Sequence, residues 1–323
     1  TPFMALIIAH EDMSIYAYLS IVEVVLKLLI LYFIKIIPSI DRLILYGILS
    51  LTVALINTSL YRLICRKKYK EAHAGWLWDK KLFFELINYT GWNIFGASVG
   101  IFKIQGVNIV LNQFFNPVVI ASRSIANQVN SAVSSFAQNF SLAVRPQIIK
   151  TYATGKYDEM MNLVFKSSKA TFFLLFIFTL PLCLEMSFIL KLWLKTPPSY
   201  VIVFTQLALL DALVDSISYP LMTMAQATGK IKLYQSIVGT ILLLNLPFSW
   251  LLLNYANSPE IVFYVSILLT IIASVSRIFI LKLLLDFPII KYLNKVIKPL
   301  LLSSIIASVL PMIIYINIRT DIM

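Results

Sequence analysis

The sequence predicts an all-α polytopic membrane protein that crosses the bilayer about nine times. Of its 323 residues, 59% are hydrophobic and 13% are charged, and the mean hydropathy is +0.86. A soluble domain is about 45–50% apolar and about 25% charged, so most side chains of this chain are expected to face lipid or protein. Its apolar segments are several times longer than a typical β-strand, which leaves helices as the expected element.

The predicted spans are apolar segments bounded by charged residues, Pro or Asn. Each is long enough to cross the ~30 Å hydrocarbon core as a helix. Pro220 falls inside one of them and should kink that helix, because proline lacks the backbone N–H that a helix interior needs. The spans are placed at 14–36, 43–65, 91–115, 118–149, 168–194, 200–227, 231–254, 260–285 and 296–318.

Basic residues are concentrated in alternate connections between the predicted spans. The connections within 66–81, 145–169, 230–232 and 277–298 hold most of the 27 Lys and Arg residues, whereas the turn at 116–117 holds none. Because cytoplasmic loops carry the excess of Lys and Arg, the basic connections are predicted to be cytoplasmic and the C-terminus to lie outside. The same asymmetry explains the net charge of +12. No basic stripe or aromatic RNA-binding motif points to nucleic acid as a partner.

The segment 66–85 combines lysines with Trp76, Trp78 and two phenylalanines. Such a mixture is typical of an amphipathic stretch at the lipid interface, here on the cytoplasmic side. It divides the chain into a first transmembrane region at 1–65, a linker at 66–90 and a second region that follows. An ordinary anchoring loop and a hinge between two halves both fit this pattern.

The most informative pattern is a polar stripe on the predicted span 118–149. Its residues recur at spacings of three and four, which places them on one face of an α-helix over a rise of about 27 Å. Exposure of such a stripe to lipid is energetically unfavourable, because a charge near the bilayer centre costs at least ~2.5 kcal/mol. A hydrated cavity is therefore favoured, with interhelical hydrogen bonding as the alternative. The stripe consists of Arg123, Asn127, Asn130, Ser134, Gln138 and Ser141.

The preceding span, 91–115, is also partly polar and is joined to the stripe-bearing span by a short turn. We expect the two to form a helical hairpin with polar faces. Gly96 and Gly100 form a small-xxx-small pair, which is typical of close helix packing and not of a ligand site. The polar residues on one face are Ser98, Gln105, Asn108 and Asn112, with Lys103 nearby.

Two carboxylates lie one helical turn apart on the predicted span 200–227. Asp211 and Asp215 stand at i and i+4, and a carboxylate inside a membrane needs a partner. They are candidates for binding a coupling cation, for exchanging a proton, or for pairing with Arg123 or Lys103. Asp215 is the stronger candidate, because Asp211 is predicted to lie closer to the outer interface.

Other charged residues in the spans have simpler interpretations. Glu23 and Lys27 stand at i and i+4, which predicts an ion pair on one helix. Glu185 and Arg277 fall near predicted span ends, where a long side chain can reach the interface, so neither is assigned to a site.

Catalytic patterns are absent from the sequence, which has no nucleophile elbow, no Walker loop and no metal-spaced cluster. With two Cys and two His, neither a disulfide framework nor a metal site is expected. Polar bundle helices without a catalytic constellation indicate a transporter and not an enzyme. No cofactor is predicted, and coupling to Na⁺ or H⁺ through Asp215 or Asp211 is a hypothesis.

Three segments resemble bacterial polysaccharide and oligosaccharide repeat-unit flippases of the O-antigen type. These flippases belong to the multidrug/oligosaccharidyl-lipid/polysaccharide exporter superfamily. The segments are TPFMALIIAHEDMSIYAYLSIVEVVLKLL at the start, SRSIANQVNSAVSSFAQNFSLAVRPQIIKTYATGKYDEMMNLVFKSSK ending at Lys169, and PLMTMAQATGKIKLYQ at 220–235.

The resemblance implies a MATE-like exporter fold with two six-helix lobes. Region 1–65 would be the end of the first lobe, 91–285 the second lobe and 286–323 an additional C-terminal helix. The sequence begins at Thr1 without an initiator Met or a basic leader segment, so it is interpreted as lacking the start of a longer protein. About four helices of the first lobe would then precede it.

The implied function is to flip an undecaprenyl-diphosphate-linked oligosaccharide across the bacterial inner membrane by alternating access, for O-antigen or capsule synthesis. Arg123 and Lys103 would attract the diphosphate, and polar side chains would bind sugar hydroxyls. The implied partners are the bilayer, the lipid-linked oligosaccharide and other polysaccharide assembly proteins. The alternatives are a drug/cation antiporter of the same superfamily, which an acidic cavity would suit, and a multispan glycan polymerase, which would need larger loops. The predicted cavity residues are Arg123, Lys103, Gln105, Asn108, Asn112, Asn127, Asn130, Ser134 and Gln138.

Overall fold

A computed structural model of the chain describes residues 2–10, 12–36, 41–73 and 78–320, except the side chains of residues 35 and 314–320. Every regular element in these ranges is helical. Trp76, which the sequence assigns to an interfacial stretch, lies outside the described residues.

The helices follow one another with short connections. They are α1 (Pro2–Ala9), α2 (Met13–Ile36), α3 (Arg42–Lys68), α4 (Lys80–Ile101), α5 (Val107–Phe114), α6 (Pro117–Ala153), α7 (Tyr157–Leu194), α8 (Val201–Ser216), α9 (Ser218–Ala227), α10 (Ile231–Leu243), α11 (Asn245–Tyr255), α12 (Ile261–Leu285), α13 (Ile289–Tyr292) and α14 (Lys298–Thr320). A π turn at Phe102–Gly106 joins α4 to α5, a second at Leu293–Ile297 joins α13 to α14, and a 3₁₀ helix spans Lys70–His73.

Seven helical segments within the described ranges are long and apolar enough to cross a membrane. An eighth span results if α8 and α9, which are bent by 40° at their junction, count together. The predicted span at 118–149 corresponds to α6, a helix of 37 residues whose polar stripe keeps it outside this apolar set. An all-α, multi-pass membrane protein fits these helices, and the number nine stays a prediction.

The chain divides into two compact units, Thr1–Asp79 and Lys80–Met323, here called the N-terminal and C-terminal units. The boundary falls inside the predicted linker, 66–90. Within the described part of this linker, α3 continues to Lys68 and α4 begins at Lys80.

In the N-terminal unit, α2 packs against α3. Glu23 and Lys27 lie 2.6 Å apart on α2, so the predicted ion pair is confirmed. Asn57 of α3 donates a hydrogen bond of 2.7 Å to the same carboxylate. These side chains border a cavity of about 380 Å³ between the two helices.

Asp12, in the connection between α1 and α2, binds two residues at the end of α3. Lys68 Nζ lies 2.8 Å from Asp12 Oδ2, and the Tyr69 hydroxyl donates to the same oxygen. These two donors, Lys68 first, lower the pKa of Asp12 from its usual 3.8. The stabilisation from these two contacts of Asp12 is therefore present above pH 3.8 and is lost as the pH falls through the lower pKa of the folded state.

In the C-terminal unit, α6 and α7 form the longest hairpin. Asn116 caps α6 by accepting a hydrogen bond of 3.3 Å from Val119 N, and Pro117 fits the first helical position because its φ is already fixed. At the other end Gly155 has a φ of 72°, which glycine adopts without strain, so the chain can reverse tightly into α7.

The bend between α8 and α9 confirms the kink predicted at Pro220. Proline has no N–H to donate to the carbonyl four residues earlier, which belongs to Ser216. That carbonyl instead accepts a hydrogen bond of 3.0 Å from Thr171 Oγ1 of α7. The neighbouring helix thus satisfies the backbone group that the proline leaves free, which makes the bend tolerable in an apolar interior.

An aromatic cluster anchors the C-terminal segment to this unit. The rings of Phe165, Phe287 and Tyr292 lie with centroids 5.2 to 5.9 Å apart, and all three side chains are buried. The region 286–323, predicted as an additional helix, therefore begins inside the core of the C-terminal unit.

Two glycines allow helices to approach closely. A Cβ on Gly96 would lie 2.3 Å from the side chain of Gln235 on α10, and a Cβ on Gly106 would lie 2.4 Å from Leu246 on α11. The predicted packing role of Gly96 agrees with this contact. Gly100 differs, because no atom lies within 4 Å of such a position.

Candidate functional site

A polar cavity of about 440 Å³ lies within the C-terminal unit. Its walls come from the end of α4, the following π turn and the start of α5, from α6, α8, α9 and α12, and from the junction of α10 with α11. The break between α10 and α11 helps to build it, because Pro247 cannot continue α10 and Asn245 is left at the cavity wall. The stripe residues of α6 that line the cavity are Arg123, Asn127, Asn130, Ser134 and Gln138.

Some of the predicted cavity residues lie elsewhere. Lys103, Asp211 and Asp215 line the cavity, but Gln105 and Asn112 do not and are exposed. The reason is helical geometry: positions 103 and 105 are about 200° apart around a helix, so one cavity cannot receive both. Asn108 lies between these directions and reaches Arg123 without lining the cavity.

Arg123 is the central cation of the site. It is only 7% exposed. Its Nη1 donates to the backbone carbonyl of Ile104 at 3.0 Å and to the side-chain oxygen of Asn108. Both acceptors are neutral, and no carboxylate pairs with Arg123 in the part of the chain that the structure describes.

Asp211 is paired with Lys103. Lys103 Nζ lies 3.1 Å from Asp211 Oδ2 and 3.3 Å from the hydroxyl of Thr270. Ser266 Oγ donates a hydrogen bond of 2.7 Å to the same carboxylate oxygen. Pairing of the aspartate with Lys103, one of the alternatives that the sequence left open, is the arrangement seen here.

Asp215 is held by Arg277 of α12, a residue that sequence reasoning assigned to the interface. Arg277 is 6% exposed. Its Nη1 lies 3.1 Å from Asp215 Oδ1 and 2.9 Å from Ser218 Oγ, and its Nε donates to the Tyr234 hydroxyl at 3.1 Å. The interfacial interpretation of Arg277 is wrong, because its guanidinium is enclosed by α8, α9 and α10.

A sequence signal for Arg277 does exist. Ser266, Thr270, Ser274 and Arg277 recur on α12 at spacings of four, four and three, which is the same kind of stripe as that on α6. The two stripes border one polar interior, since Ser266 and Thr270 line the cavity and Ser274 contacts Arg277 at 3.4 Å.

Three buried polar atoms at the cavity have no hydrogen-bond partner among the described residues. They are Nε of Arg123, Nδ2 of Asn245 and Oδ1 of Asp211. Buried polar atoms are rarely left unpaired, since each costs about 1–3 kcal/mol. Two donors and one acceptor are therefore free to bind something that enters the cavity.

A second, smaller space of about 190 Å³ continues along α6. Gln138 and Tyr219 line both spaces, so the smaller space adjoins the cavity. Ser141 and Arg145 of α6 line the smaller one. Residues of the polar stripe predicted from the sequence thus line both spaces inside the C-terminal unit.

Comparison with protein-family models, with curated proteins and with solved structures found no significant match to this chain. The resemblance to repeat-unit flippases therefore stays a prediction.

Proposed function

We propose that the protein is a transporter that flips an undecaprenyl-diphosphate-linked oligosaccharide across the bacterial inner membrane for polysaccharide synthesis. The sequence resemblance supports the substrate class and the alternating movement of two lobes. The cavity supports the transport of an anionic and polar group. In this scheme the N-terminal unit supplies the end of one MATE-like lobe and the C-terminal unit supplies the other.

The observation that carries the proposal is that Arg123 is buried and that no carboxylate among the described residues pairs with it. A buried guanidinium that lacks a counter-charge is expensive, at several kcal/mol of desolvation. Such a residue inside a membrane protein is by default a functional one. Of the two cations among the described residues that line the cavity, Lys103 already has an aspartate, so Arg123 has capacity for an external anion such as a diphosphate.

The cavity volume limits what can enter. Small-ligand sites span about 300–1,000 Å³, and this one has about 440 Å³. It is large enough for a diphosphate with an adjacent sugar, but too small for a whole oligosaccharide. We therefore place the diphosphate near Arg123 and the first sugar against Asn127, Asn130 and Gln138, with the remaining sugars outside.

The pairing of the aspartates argues against the drug/cation antiporter. An exporter of organic cations needs a carboxylate that is free to receive its substrate. Asp211 and Asp215 each have a cationic partner within the described residues, at 3.1 Å in both cases. The cavity is therefore better suited to an anion.

Export of repeat units in a bacterium that lacks its own flippase tests the proposal. The protein should be expressed as its gene encodes it, beside the variants Arg123→Ala and Arg123→Lys. Loss of charge-assisted hydrogen bonds worth about 1.5–3 kcal/mol predicts that Arg123→Ala lowers surface glycan at least about tenfold. Arg123→Lys keeps the charge and should retain part of the export.

Lys291→Ala serves as the matched control, because this lysine is exposed and lies away from the cavity. It should export like the wild-type protein. If Arg123→Ala exports as well as Lys291→Ala does, the cationic cavity has no part in transport and the proposal fails.

A further inference from the structure

We infer that an oxyanion enters this cavity together with one proton, which Asp211 receives when the anion draws Lys103 away from it. The inference rests on the anion-binding part of the proposed function. It names what the resemblance left open, namely which carboxylate links substrate binding to an ion, and which ion that is.

The first step is the mobility of Lys103. Its side chain is 25% exposed at the cavity, and its other contact is the hydroxyl of Thr270. A lysine ammonium on a four-carbon stem can turn towards a new partner without moving the helix that carries it. A dianion held by Arg123 at the same cavity would compete with Asp211 for this ammonium.

The second step is what Asp211 loses. Without Lys103, the carboxylate keeps one hydrogen bond, from Ser266, and its Oδ1 has no partner among the described residues. It would also share a small cavity with the arriving anion. Burial and a like charge both favour the neutral form of a carboxyl group, so a proton from water adds to the carboxylate and charge is balanced.

The third step considers the other charged and titratable groups that face the cavity or α8 near Asp211. The cations that line the cavity are Lys103, on the π turn after α4, and Arg123, on α6, which in this scheme holds the anion. On α12 the charge is Arg277, which is committed to Asp215, and on α9 the group is the Tyr219 hydroxyl. On α7 the groups are Cys183, whose carbonyl is bonded to Gln206, and the exposed Glu185. None of these supplies a second positive charge to replace Lys103.

Asp215 is a poor candidate for the same role, although the sequence favoured it. Its partner Arg277 is buried and is fixed by the Tyr234 and Ser218 hydroxyls as well as by Asp215. That guanidinium cannot leave for an anion in the cavity without abandoning several hydrogen bonds. Of the two aspartates, Asp211 is therefore the one whose cation is free to move.

Calorimetry with sulfate tests the inference on the purified protein. Sulfate is a tetrahedral dianion that does not titrate near neutral pH, so any proton taken up belongs to the protein. Titrations at about pH 7 in two buffers of different ionisation enthalpy count that proton. The wild-type protein should take up close to one proton per sulfate, and its affinity should fall about tenfold for each unit of rising pH.

Three variants give the readout its specificity. Asp211→Asn should bind sulfate without proton uptake and with an affinity that no longer depends on pH. Lys103→Gln should bind at least about tenfold more weakly and also without uptake, because no ion pair is exchanged. Asp158→Asn, at an exposed position of α7, should behave like the wild-type protein.

Each contrary result has a separate meaning. Sulfate binding by the wild-type protein without proton uptake overturns the exchange at Asp211 but leaves the anion site intact, and so does unchanged uptake in Asp211→Asn. No binding of sulfate at all overturns the inference together with the anion site. The export assay remains an independent test of the flippase function, since it does not depend on sulfate.

Discussion

The buried ion pair between Arg277 and Asp215 should hold α8 and α12 together, and Asp215→Asn tests it. The substitution keeps the size of the side chain but leaves Arg277 without a counter-charge. Removing one partner of a buried pair costs about 3–5 kcal/mol. The side chain of Asp215 is 38% exposed at the cavity, so water screens part of the interaction, and we expect about 2–3 kcal/mol.

Thermal unfolding in detergent measures this effect. In a domain of this size each kcal/mol lowers the melting temperature by about 2–4 °C, which predicts a fall of about 5–10 °C for Asp215→Asn. Lys282→Met is the matched control, because it removes an exposed charge from α12, the helix that carries Arg277, and should change stability by less than about 0.5 kcal/mol.

The double variant Arg277→Met with Asp215→Leu removes both charges and distinguishes an ion pair from general packing. Apolar replacement of a whole buried pair is often close to neutral. The double variant should therefore be more stable than the sum of the two single changes predicts, by about 2 kcal/mol. The ion pair does not hold these helices together if Asp215→Asn has the melting temperature of the wild-type protein. The same conclusion follows if the loss of stability in the double variant equals the sum of the losses in the two single variants.

Three further predictions concern packing, pH and topology. Gly106→Ala should destabilise the protein by about 1–3 kcal/mol, because the new methyl group meets Leu246 of α11. Thermal unfolding measures this loss against the control Gly91→Ala, whose methyl group meets nothing within 4 Å and should not change stability. Asp12→Asn should destabilise the N-terminal unit at neutral pH, and the difference from wild type should vanish as the pH is lowered well below 3.8. With the native cysteines replaced, Thr154→Cys should react with an impermeant thiol reagent only from the cytoplasmic side and Asn257→Cys only from the opposite side; the reverse pattern would invert the proposed orientation.

The polar stripe of α6 shows what one sequence can predict well. A spacing of three and four residues fixes a helical face whatever the neighbouring helices are, and the structure places Arg123 and Gln138 on the same cavity. The kink at Pro220 follows with the same certainty, because it depends on a missing N–H in the chain itself. Such features need no knowledge of tertiary contacts.

The features that sequence reasoning missed depend on which helices meet. Proximity to a span end predicts an interfacial Arg277, yet the hydroxyl of Tyr234 and the carboxylate of Asp215 come from other helices and enclose it. The error for Gln105 and Asn112 was avoidable. Their spacing places both on one helical face with Asn108, and the angle of that face relative to Lys103 already separates them from the face that meets the cavity.

The linker shows a third kind of limit. Aromatic and basic residues at 66–85 predict an interfacial segment, and the residues from Lys80 onwards form the first turns of α4. Composition alone does not separate an interfacial helix from the basic end of a spanning helix, because lysine and tryptophan favour both.

The most direct measurement of the central claim is flipping in proteoliposomes. The purified protein, as its gene encodes it, is reconstituted with a fluorescent polyprenyl-diphosphate oligosaccharide, and the fraction accessible to an external glycosidase is followed over time. The proposal predicts that the wild-type protein moves the oligosaccharide between leaflets and that Arg123→Ala slows this movement at least about tenfold. No movement by the wild-type protein, or equal movement by the variant, would contradict it.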